Sequence, residues 1–535
     1  MKKKHFFTLI LMTFLMNLYG QNIFQRHFGS AGNDFVRNIS PTNDKGFIVI
    51  GYTTHSSNGL KDIFISKFSN ADNLEWTKTY GGNGDDDGFT IVQTTDGGYI
   101  FTGTSNSYGT GDDDVFVIKT DQKGIVEWNK IYSGNGHDLG RDIYELPDNS
   151  YLLLSETTSN SFGLMDICLT MIDKSGKVIW SKLYGGTQNE LCYNFRRTND
   201  GNFLLAGITY SYGFGKHDMF LLKVKPDGTL LKCMVYGQSG DDYAYSAVQD
   251  ENGDIGIGGF SITGNTGKDN TFIKTDSNFK IIWQKSFGGI KDEYIVNVMP
   301  TAQGEVFIPG MTYSYGHGDR DVFLAKFSKY GQLSFFKTYG GLNDDNVANR
   351  SSIFADYDNI IIAAVTTSFK QVQPFRSNNM DGYLIKTDYY GNSGCYEDSF
   401  KITLNNVNLQ AKDIMQNIGI KSNSWNVFSK GSGDSVDFSL NSICFTGIKE
   451  ELTNNISFTL LNSSDNSIIL RPGRELFEAL EIKFFDLQGK MLLSIKFSSG
   501  LNQEIPVTFD SLPTGIYIYQ IISGSNVLAG KFIIN

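Results

Sequence analysis

Two sets of residues that could coordinate a cation or attract a basic partner recur through this chain at nearly constant spacing. The first set consists of Asp34, Asp86, Asp138, Glu190, Asp242, Glu293 and Asp345. The second set is also mostly acidic and consists of Asp62, Asp114, Asp166, Asp218, Asn270, Asp321 and Asp381. Because every repeat carries these residues, we favour a structural role, in which each carboxylate accepts hydrogen bonds from backbone N–H groups of its loop. The ligand order of a calcium loop does not occur, and no metal site is predicted.

A third set is aromatic and mostly reads Ser-aromatic-Gly. Its members are Tyr108, Phe162, Tyr212 and Tyr315, with Phe369 as a further candidate. The residues two positions before the first four are Asn106, Asn160, Tyr210 and Tyr313. Flat rings beside Asn and Ser can stack on sugar faces and hydrogen-bond their hydroxyls. We therefore predict ligand binding by the four aromatic residues with Asn106 and Asn160; the alternative is that each ring packs against a neighbouring repeat.

Residues arranged for catalysis are not evident in the sequence. The six histidines are not equivalent between repeats, and neither a Gly-x-Ser-x-Gly nor a His-Glu-x-x-His motif occurs. Acidic pairs such as Asp241 and Asp242 recur in nearly every repeat, so no single pair is informative. We predict a non-enzymatic protein without a cofactor, and a glycan-active hydrolase that uses loop carboxylates is the alternative.

The elements that position these residues belong to an internal repeat. A Tyr or Phe, generally followed by Gly, recurs at Phe28, Tyr80, Tyr132, Tyr184, Tyr236, Phe287 and Tyr339, at spacings of 52, 52, 52, 52, 51 and 52 residues. Each unit contains four short runs with strand character, separated by Gly, Asp and Asn turns, and none has helical periodicity. Four strands in a unit of this length are typical of a β-propeller blade.

The chain ends of the repeat region predict a closed ring of seven blades. The last unit stops at Gly394-Cys395 without its fourth strand, and a strand of that type precedes Phe28 at the N-terminal end of the repeats. A donated N-terminal strand closes a ring and leaves no sheet edge at the junction, whereas an open solenoid would need capping repeats. The fold class is therefore all-β, with a seven-bladed propeller over 21–394.

An aromatic residue lies four positions before most of the repeated Tyr or Phe residues. The set is Phe24, Trp76, Trp128, Trp180, Trp283 and Phe335, with Lys232 as the exception. We predict that these rings belong to the core.

The N-terminal segment predicts export. Three lysines precede an apolar run from Phe6 to Leu18 and a small residue, Gly20, so 1–20 is a predicted signal peptide. Its removal changes the net charge from −11 to −14, which disfavours nucleic acid and anionic membrane as partners. No other apolar run is long enough to span a bilayer.

The five cysteines suggest one disulfide. In an exported protein we pair Cys395 with Cys444, and we expect Cys168, Cys192 and Cys233 to be buried as small apolar residues. The segment 395–449 is polar and weakly patterned, and we interpret it as a linker or a small β module.

The region 450–535 again shows strand–turn patterning, which predicts a small β-sandwich. Its marks are Asp486, Gly489 and Lys490 in one turn, Leu512, Gly515 and Tyr517 around a strand, and Lys531 before Phe532 near the end. These motifs resemble the C-terminal sorting domain of the type IX secretion system of Bacteroidota. The resemblance implies that the type IX machinery exports the protein across the outer membrane, and that the domain is then removed, with surface attachment or release of the remainder. An ordinary β-sandwich binding module is the alternative.

One face of the predicted propeller carries its longer loops, which are the connections such as 80–88 between blades and 105–114 within a blade. Loops on a rigid scaffold usually carry function. We therefore predict an exported or cell-surface protein that binds a polysaccharide or protein ligand through this loop face. The alternatives are the hydrolase described above and an adhesin or scaffold without a small ligand.

Overall fold

The computed structural model describes 23–445 except 56–59, 111, 263–266, 348–352, 357–358, 370–378, 430–432 and 436–438, together with seven strands between 458 and 534. The predicted signal peptide lies outside the described residues. The chain divides into one compact unit, Ile23–Phe445, and a second unit that includes Thr446–Asn535. No helix of the described residues is long and apolar enough to cross a membrane.

Strands β1 to β17 form the N-terminal strand and the first four blades. The N-terminal strand is β1 (Phe24–Gly29). Blade 1 contains β2 (Asp34–Pro41), β3 (Phe47–Thr53), β4 (Asp62–Phe68) and β5 (Leu74–Tyr80). Blade 2 contains β6 (Asp86–Gln93), β7 (Tyr99–Ser105), β8 (Asp114–Thr120) and β9 (Val126–Ser133). Blade 3 contains β10 (Asp138–Glu145), β11 (Tyr151–Thr157), β12 (Asp166–Ile172) and β13 (Val178–Gly185), and blade 4 contains β14 (Glu190–Arg197), β15 (Phe203–Thr209), β16 (Asp218–Val224) and β17 (Leu230–Gly237).

Strands β18 to β30 form the remaining three blades. Blade 5 contains β18 (Asp242–Gln249), β19 (Ile255–Ser261), β20 (Asp269–Thr275) and β21 (Ile281–Phe287). Blade 6 contains β22 (Glu293–Ile295), β23 (Met299–Pro300), β24 (Val306–Thr312), β25 (Asp321–Phe327) and β26 (Leu333–Tyr339). Blade 7 contains β27 (Asp345–Val347), β28 (Ile353–Asp356), β29 (Asn359–Thr366) and β30 (Asp381–Asp388).

The seven antiparallel sheets confirm the predicted propeller. In each blade the second and third strands are buried on both faces, as in β7 and β8, because sheets cover them on either side. The first strand alternates buried and half-buried residues. First strands of successive blades touch one another, so they line the centre of the ring. The N-terminal strand β1 pairs with β30, from Phe24 with Lys386 to Phe28 with Gly382, and completes blade 7 as predicted.

The segment after the last blade differs from the predicted linker or separate module at 395–449. It contains β31 (Glu397–Ser399), β32 (Asn405–Asn406), β33 (Gln410–Asp413), β34 (Gly419–Ser422), β35 (Asn426–Phe428), β36 (Gly433–Ser435) and β37 (Ser439–Phe445). These strands pair in turn with the outermost strands of blades 6, 5, 4, 3, 2, 1 and 7. We call the segment 397–445 the belt, because it adds a fifth strand to every blade.

The belt is polar because it covers sheet edges rather than a core of its own. Its strands are two to seven residues long and mostly exposed where their side chains are described. Three apolar side chains between or beside them, Leu409, Ile414 and Ile418, are buried against blades 3 to 5. The belt satisfies backbone groups that would otherwise form open sheet edges.

Cys395, at the start of this segment, is disulfide-bonded, whereas Cys168, Cys192 and Cys233 are buried and form no disulfide. The pairing of Cys395 with Cys444 stays a prediction. The backbone of Cys444 pairs with Gln25 of β1, and its side chain lies outside the described residues.

The repeated Tyr or Phe holds each blade to the next. Tyr80 is buried at the end of blade 1, and its hydroxyl donates a 2.7 Å hydrogen bond to the carbonyl oxygen of Gly124 in a turn of blade 2. Tyr132 makes the same bond to Gly176. Of the aromatic set predicted as core, Phe24 is fully buried, whereas Trp76, Trp128, Trp180, Trp283 and Phe335 are half-buried and pack against the following blade.

The C-terminal unit consists of two sheets in the strands that the structure describes. These strands are β38 (Phe458–Ser463), β39 (Ser467–Pro472), β40 (Leu480–Phe485), β41 (Met491–Phe497), β42 (Ile505–Thr508), β43 (Gly515–Ser523) and β44 (Asn526–Ile534). One sheet has the order β38-β39-β42 and the other β41-β40-β43-β44. The predicted sandwich packing of these sheets stays a prediction.

Candidate functional site

The first acidic set marks the start of the innermost strand of every blade, on the loop face. The backbone N–H of each acid donates to the carbonyl of the residue before the third strand of the preceding blade, as from Asp86 to Lys61 at 2.8 Å. The same bond joins Asp34 to Met380, Asp138 to Asp113, Glu190 to Met165, Asp242 to His217, Glu293 to Lys268 and Asp345 to Arg320. Seven equivalent bonds thus connect the blades around the ring.

The side chains of these acids accept hydrogen bonds inside the protein. Oδ2 of Asp86 accepts from the Gly82 backbone N–H at 2.8 Å and from the Ser107 hydroxyl at 2.6 Å. All seven are fully buried, and burial raises the pKa of Asp138 and of Asp242 to about 6. This geometry matches the structural role favoured from the sequence. Among the described residues, no group of three or more His, Cys, Asp or Glu side chains is arranged to hold a metal ion.

The second acidic set begins the third strand of each blade, with one correction. In blade 2, Ser105 pairs with Asp114, and in blade 5 the equivalent Ser261 pairs with Asp269 rather than with Asn270. The loop that precedes this strand is one residue shorter in blade 5 than in blade 2, so Asp269 and not Asn270 begins the strand. Asn270 instead pairs with Phe287 at a buried position.

The predicted aromatic ligand residues make internal contacts. The hydroxyls of Tyr108, Tyr212 and Tyr315 donate to the carbonyls of Gly81, Gly185 and Gly288 at 2.7, 3.1 and 3.1 Å. These glycines lie at the end of the last strand of the preceding blade or directly after it. Phe162 and Phe369 also face residues that follow the last blade, since Lys421 Nζ lies 4.3 Å from the Phe162 ring and Tyr396 packs 5.0 Å from Phe369.

The belt covers part of this aromatic set. The Tyr212 hydroxyl is also 3.0 Å from the Asn417 carbonyl oxygen, and the Tyr315 ring packs 5.2 Å from Phe400. Of the two predicted asparagines, Asn106 accepts a hydrogen bond from the Asp85 backbone N–H, and Asn160 donates to Asn423 of the belt. The contacts correspond to the packing alternative weighed from the sequence, with the belt as an additional neighbour.

A different aromatic group lies at the centre of the loop face, on blades 4 to 6. We call it the tyrosine cluster, and it consists of Tyr193, Tyr210, Tyr243, Tyr245, Tyr294 and Tyr313. Tyr193, Tyr243, Tyr245 and Tyr294 lie at half-buried positions of innermost strands, where they face the central channel. Tyr210 and Tyr313 lie in loops between second and third strands.

The rings of the cluster are close to one another. Tyr193 lies 4.9 Å from Tyr245, and Tyr243 stacks at 4.5 Å on the buried Phe260. Phe260 is also 5.2 Å from Tyr294, which is 6.3 Å from Tyr313. The tyrosines, together with Phe260, thus form a continuous aromatic wall along one side of the channel mouth.

Charged groups hold the hydroxyls of this wall. The Tyr243 hydroxyl lies 2.9 Å from Nδ1 of His217, which is itself 3.2 Å from Asp241 Oδ1. Lys268 Nζ donates to the Tyr294 hydroxyl, which donates to Asp292, both at 2.9 Å. Burial and neighbouring Tyr210 raise the pKa of Tyr245 to about 12, so its hydroxyl stays protonated at neutral pH.

The charges around the mouth are paired across blade junctions. A cation before the third strand faces an anion before the first strand of the next blade, as in Lys61 with Asp85 and Arg320 with Asp344. On the side opposite to the tyrosine cluster, Arg37 and Arg141 lie 5.1 and 4.9 Å from the Phe89 ring. Arg37 pairs with Asp87 through two nitrogens, and Arg141 pairs with Glu156.

Sequence reasoning missed the tyrosine cluster as a unit, although Tyr210 and Tyr313 were noted. The signal was available, because the residues one and three positions after each acid of the first set differ from blade to blade. Blade 1 has Phe35 and Arg37 there, whereas blade 5 has Tyr243 and Tyr245. In a repetitive fold, the residues that close the ring are alike in every blade. A channel-lining position that differs between blades, while the residues beside it do not, is therefore not needed to close the ring.

The seven-bladed ring defines a propeller protein, and its C-terminal region identifies the class of exported protein to which it is related. Residues 462–535 match the family model described as a secretion system C-terminal sorting domain. The chain is therefore an exported protein, secreted or at the cell surface, and the domain implies the type IX secretion machinery as a partner and a bacterium of the Bacteroidota as the source. Of the motif residues, Gly515, Tyr517 and Lys531 lie in the paired strands β43 and β44. Asp486, Gly489, Lys490 and Leu512 lie outside the described residues.

The other comparisons add little. No curated protein matches this chain significantly. Among solved structures, the chain is similar to the crystal structure of a puromycin hydrolase S511A mutant complexed with PGG, at 10% identity and a TM-score of 0.43. The match covers 83% of this chain and 61% of that chain, so the chain spans less than two thirds of that protein.

Proposed function

We propose that this exported protein binds a polysaccharide outside the cell, at the mouth of the propeller channel, through the tyrosine cluster. The observation that carries the proposal is the continuous wall of half-buried tyrosines on blades 4 to 6. The sevenfold ring does not require this wall, because the equivalent positions of blades 1 to 3 carry other residue types.

Sugars suit this wall better than other ligand classes do. Aromatic faces stack on the apolar faces of pyranose rings, and protonated phenol groups both donate and accept hydrogen bonds with hydroxyls. The charged groups beside the wall already have partners of opposite charge, such as Asp344 for Arg320. A neutral ligand therefore needs to displace no ion pair, whereas a strongly charged one would compete with these pairs.

The arrangement of the carboxylates at the loop face supports a hydrolase less well than a binding protein. Hydrolysis of a glycosidic bond needs two carboxyl groups that face the substrate. The acids of the first set are buried and accept backbone hydrogen bonds, as Asp242 does from Gln238 at 2.8 Å. The more exposed acids of the mouth, such as Asp85 and Asp344, are held by cations of the preceding blade. Binding without turnover is the simpler reading of this arrangement.

The test is binding of the chain from residue 21 onward to a broad glycan array, followed by titration of the best ligand. Tyr243→Ala and Tyr294→Ala should each weaken binding about 5-fold or more, as loss of a stacking anchor worth ~1–3 kcal/mol would. The matched control is Tyr330→Ala, because Tyr330 is 73% exposed in a tight turn between the third and fourth strands of blade 6.

Two results would contradict the proposal. One is undiminished binding by both cluster variants, together with loss of binding in Tyr108→Ala or Tyr212→Ala, which would place the ligand on the aromatic set predicted from sequence. The other is release of reducing sugar from the bound polysaccharide, lost in Asp242→Asn, which would establish the hydrolase.

A further inference from the structure

Each of the seven blade junctions brings together two carboxyl groups from neighbouring blades; both are buried in five pairs, whereas Asp381 and Asp269 are half-buried. The pairs are Asp381 with Asp34, Asp62 with Asp86, Asp114 with Asp138, Asp166 with Glu190, Asp218 with Asp242, Asp269 with Glu293 and Asp321 with Asp345. In the pair of Asp218 and Asp242, both side chains are fully buried. No lysine or arginine forms an ion pair with either acid in the described part of the chain.

At five of the seven junctions, both acids of the pair lie next to one glycine. A β-carbon placed on Gly237 would lie 1.7 Å from Asp218 Oδ1 and 3.1 Å from Asp242 Oδ2. One placed on Gly340 would lie 2.2 Å from Asp321 Oδ1 and 2.7 Å from Asp345 Oδ2. Glycine leaves this space without a side chain, so carboxyl oxygens from two blades face each other across it.

In the pair of Asp218 and Asp242, Oδ1 of Asp218 points into this space and has no hydrogen-bond partner among the described residues. Its Oδ2 accepts from the backbone N–H groups of Phe214 and Gly215 at 3.0 Å. A buried carboxylate oxygen without a donor is costly, and two adjacent buried negative charges are more so.

We propose that each buried interblade pair holds one proton, carried as an O–H group on one carboxyl and donated to the facing oxygen of the other. The proton gives the carboxyl oxygen that lacks a hydrogen bond a partner, and it reduces the two buried negative charges of the pair to one. A calcium ion fits less well, because it takes six to eight oxygen ligands. Most other oxygens here already accept hydrogen bonds, as Asp242 Oδ2 does from Gln238.

The groups around the pairs set the pH at which the proton leaves. Burial, followed by the facing carboxyl and Asp241, raises the pKa of Asp242 to about 6, while His217 opposes the rise for Asp218. At the junction of blades 6 and 7, burial and Asp345 raise the pKa of Asp321 to about 7.

Further groups from neighbouring elements lie close to the pair of Asp321 and Asp345. His317 opposes the rise for Asp321, Asp344 adds to it for Asp345, and Tyr383 lies close enough for both acids to raise its own pKa.

The sign of the pH dependence follows from these directions. A carboxyl that holds its proton more tightly in the folded protein stabilises the fold below its unfolded pKa of about 4, and that stabilisation is lost as pH rises through about 6 to 7. The closed ring therefore holds these protons in its folded state, and it is more stable at mildly acidic than at mildly alkaline pH.

The test measures the melting temperature of the full chain from residue 21 at pH 5 and pH 8, for wild type and for Asp218→Asn. An amide resembles a protonated carboxyl, so the variant should melt higher than wild type at pH 8 and close to wild type at pH 5. Asp319→Asn is the control, because it removes one exposed acid from a loop and should leave the pH dependence unchanged.

Three outcomes would overturn the proposal. The first is that wild type melts at the same temperature at both pH values, and the second is that Asp218→Asn melts lower than wild type at both. A chelator that lowers the wild-type melting temperature at pH 8, with calcium restoring it, would show a cation instead of a proton. If melting falls between pH 5 and pH 8 and the variant reduces the fall, the proposal stands.

Discussion

Lys232 and Phe279 exchange the roles that an aromatic residue and a glycine have at five other junctions. There a Trp or Phe of one blade packs against a glycine in a turn of the next, as Trp180 does against Gly228. At the junction of blades 4 and 5 the lysine replaces the tryptophan, and Phe279 takes the glycine position with a φ of 69°. Lys232 Nζ lies 5.6 Å from the Phe279 ring, so the aromatic group comes from the opposite side.

This exchange predicts a thermodynamic coupling. Phe279→Gly alone should destabilise the protein by about 3–5 kcal/mol, since it empties a buried aromatic site. Adding Lys232→Trp should recover part of that loss, because it restores the pair found at those five junctions. A double-mutant cycle from urea unfolding measures the coupling, and strictly additive effects would contradict the account.

Hydroxyl bonds between blades give a second prediction for single residues. Tyr80→Phe should cost about 1 kcal/mol of unfolding free energy, because the Gly124 carbonyl loses its donor while the ring still fills its site. Phe28 and Phe287 occupy the same position in other blades and show that phenylalanine fits there. Tyr80→Ala should cost several times more, and equal costs for the two variants would argue against a distinct role for the hydroxyl.

At the scale of elements, the sequence predicted the blades well and the belt poorly. The repeated glycines, acids and aromatic residues lie at fixed chain positions, so their spacing predicts seven equal sheets. The belt strands have no such pattern, because each needs only backbone pairing with an existing edge. Their few apolar anchors, such as Ile414, are too widely spaced to indicate a strand or a helix.

The belt predicts where the propeller unit can be truncated. A chain of 21–445 should unfold cooperatively near the propeller transition of the full chain. A chain of 21–394, the predicted domain, should melt lower and aggregate more readily, because it exposes seven sheet edges and the sites of Leu409, Ile414 and Ile418. Differential scanning calorimetry with light scattering distinguishes the two, and equal melting of both chains would show that the belt contributes nothing.

At the scale of the whole molecule, the regular and irregular parts of the chain have separate roles. The ring, its interblade bonds and its buried acids follow from the repeat and could be anticipated from sequence. The tyrosine cluster depends on which channel positions differ between blades, and on ring contacts between residues such as Tyr193 and Tyr245 that are far apart along the chain. A single repeat cannot reveal such contacts, because they form only when neighbouring blades come together.

The most direct measurement of the central claim is hydroxyl-radical footprinting of the exported chain with and without the polysaccharide that it binds best. The account predicts protection of Tyr193, Tyr243 and Tyr294 at the channel mouth, with Tyr330 and Tyr390 unchanged as exposed references. Protection confined to Tyr108, Tyr212 and Tyr315, or to the belt, with the mouth tyrosines unchanged, would contradict it.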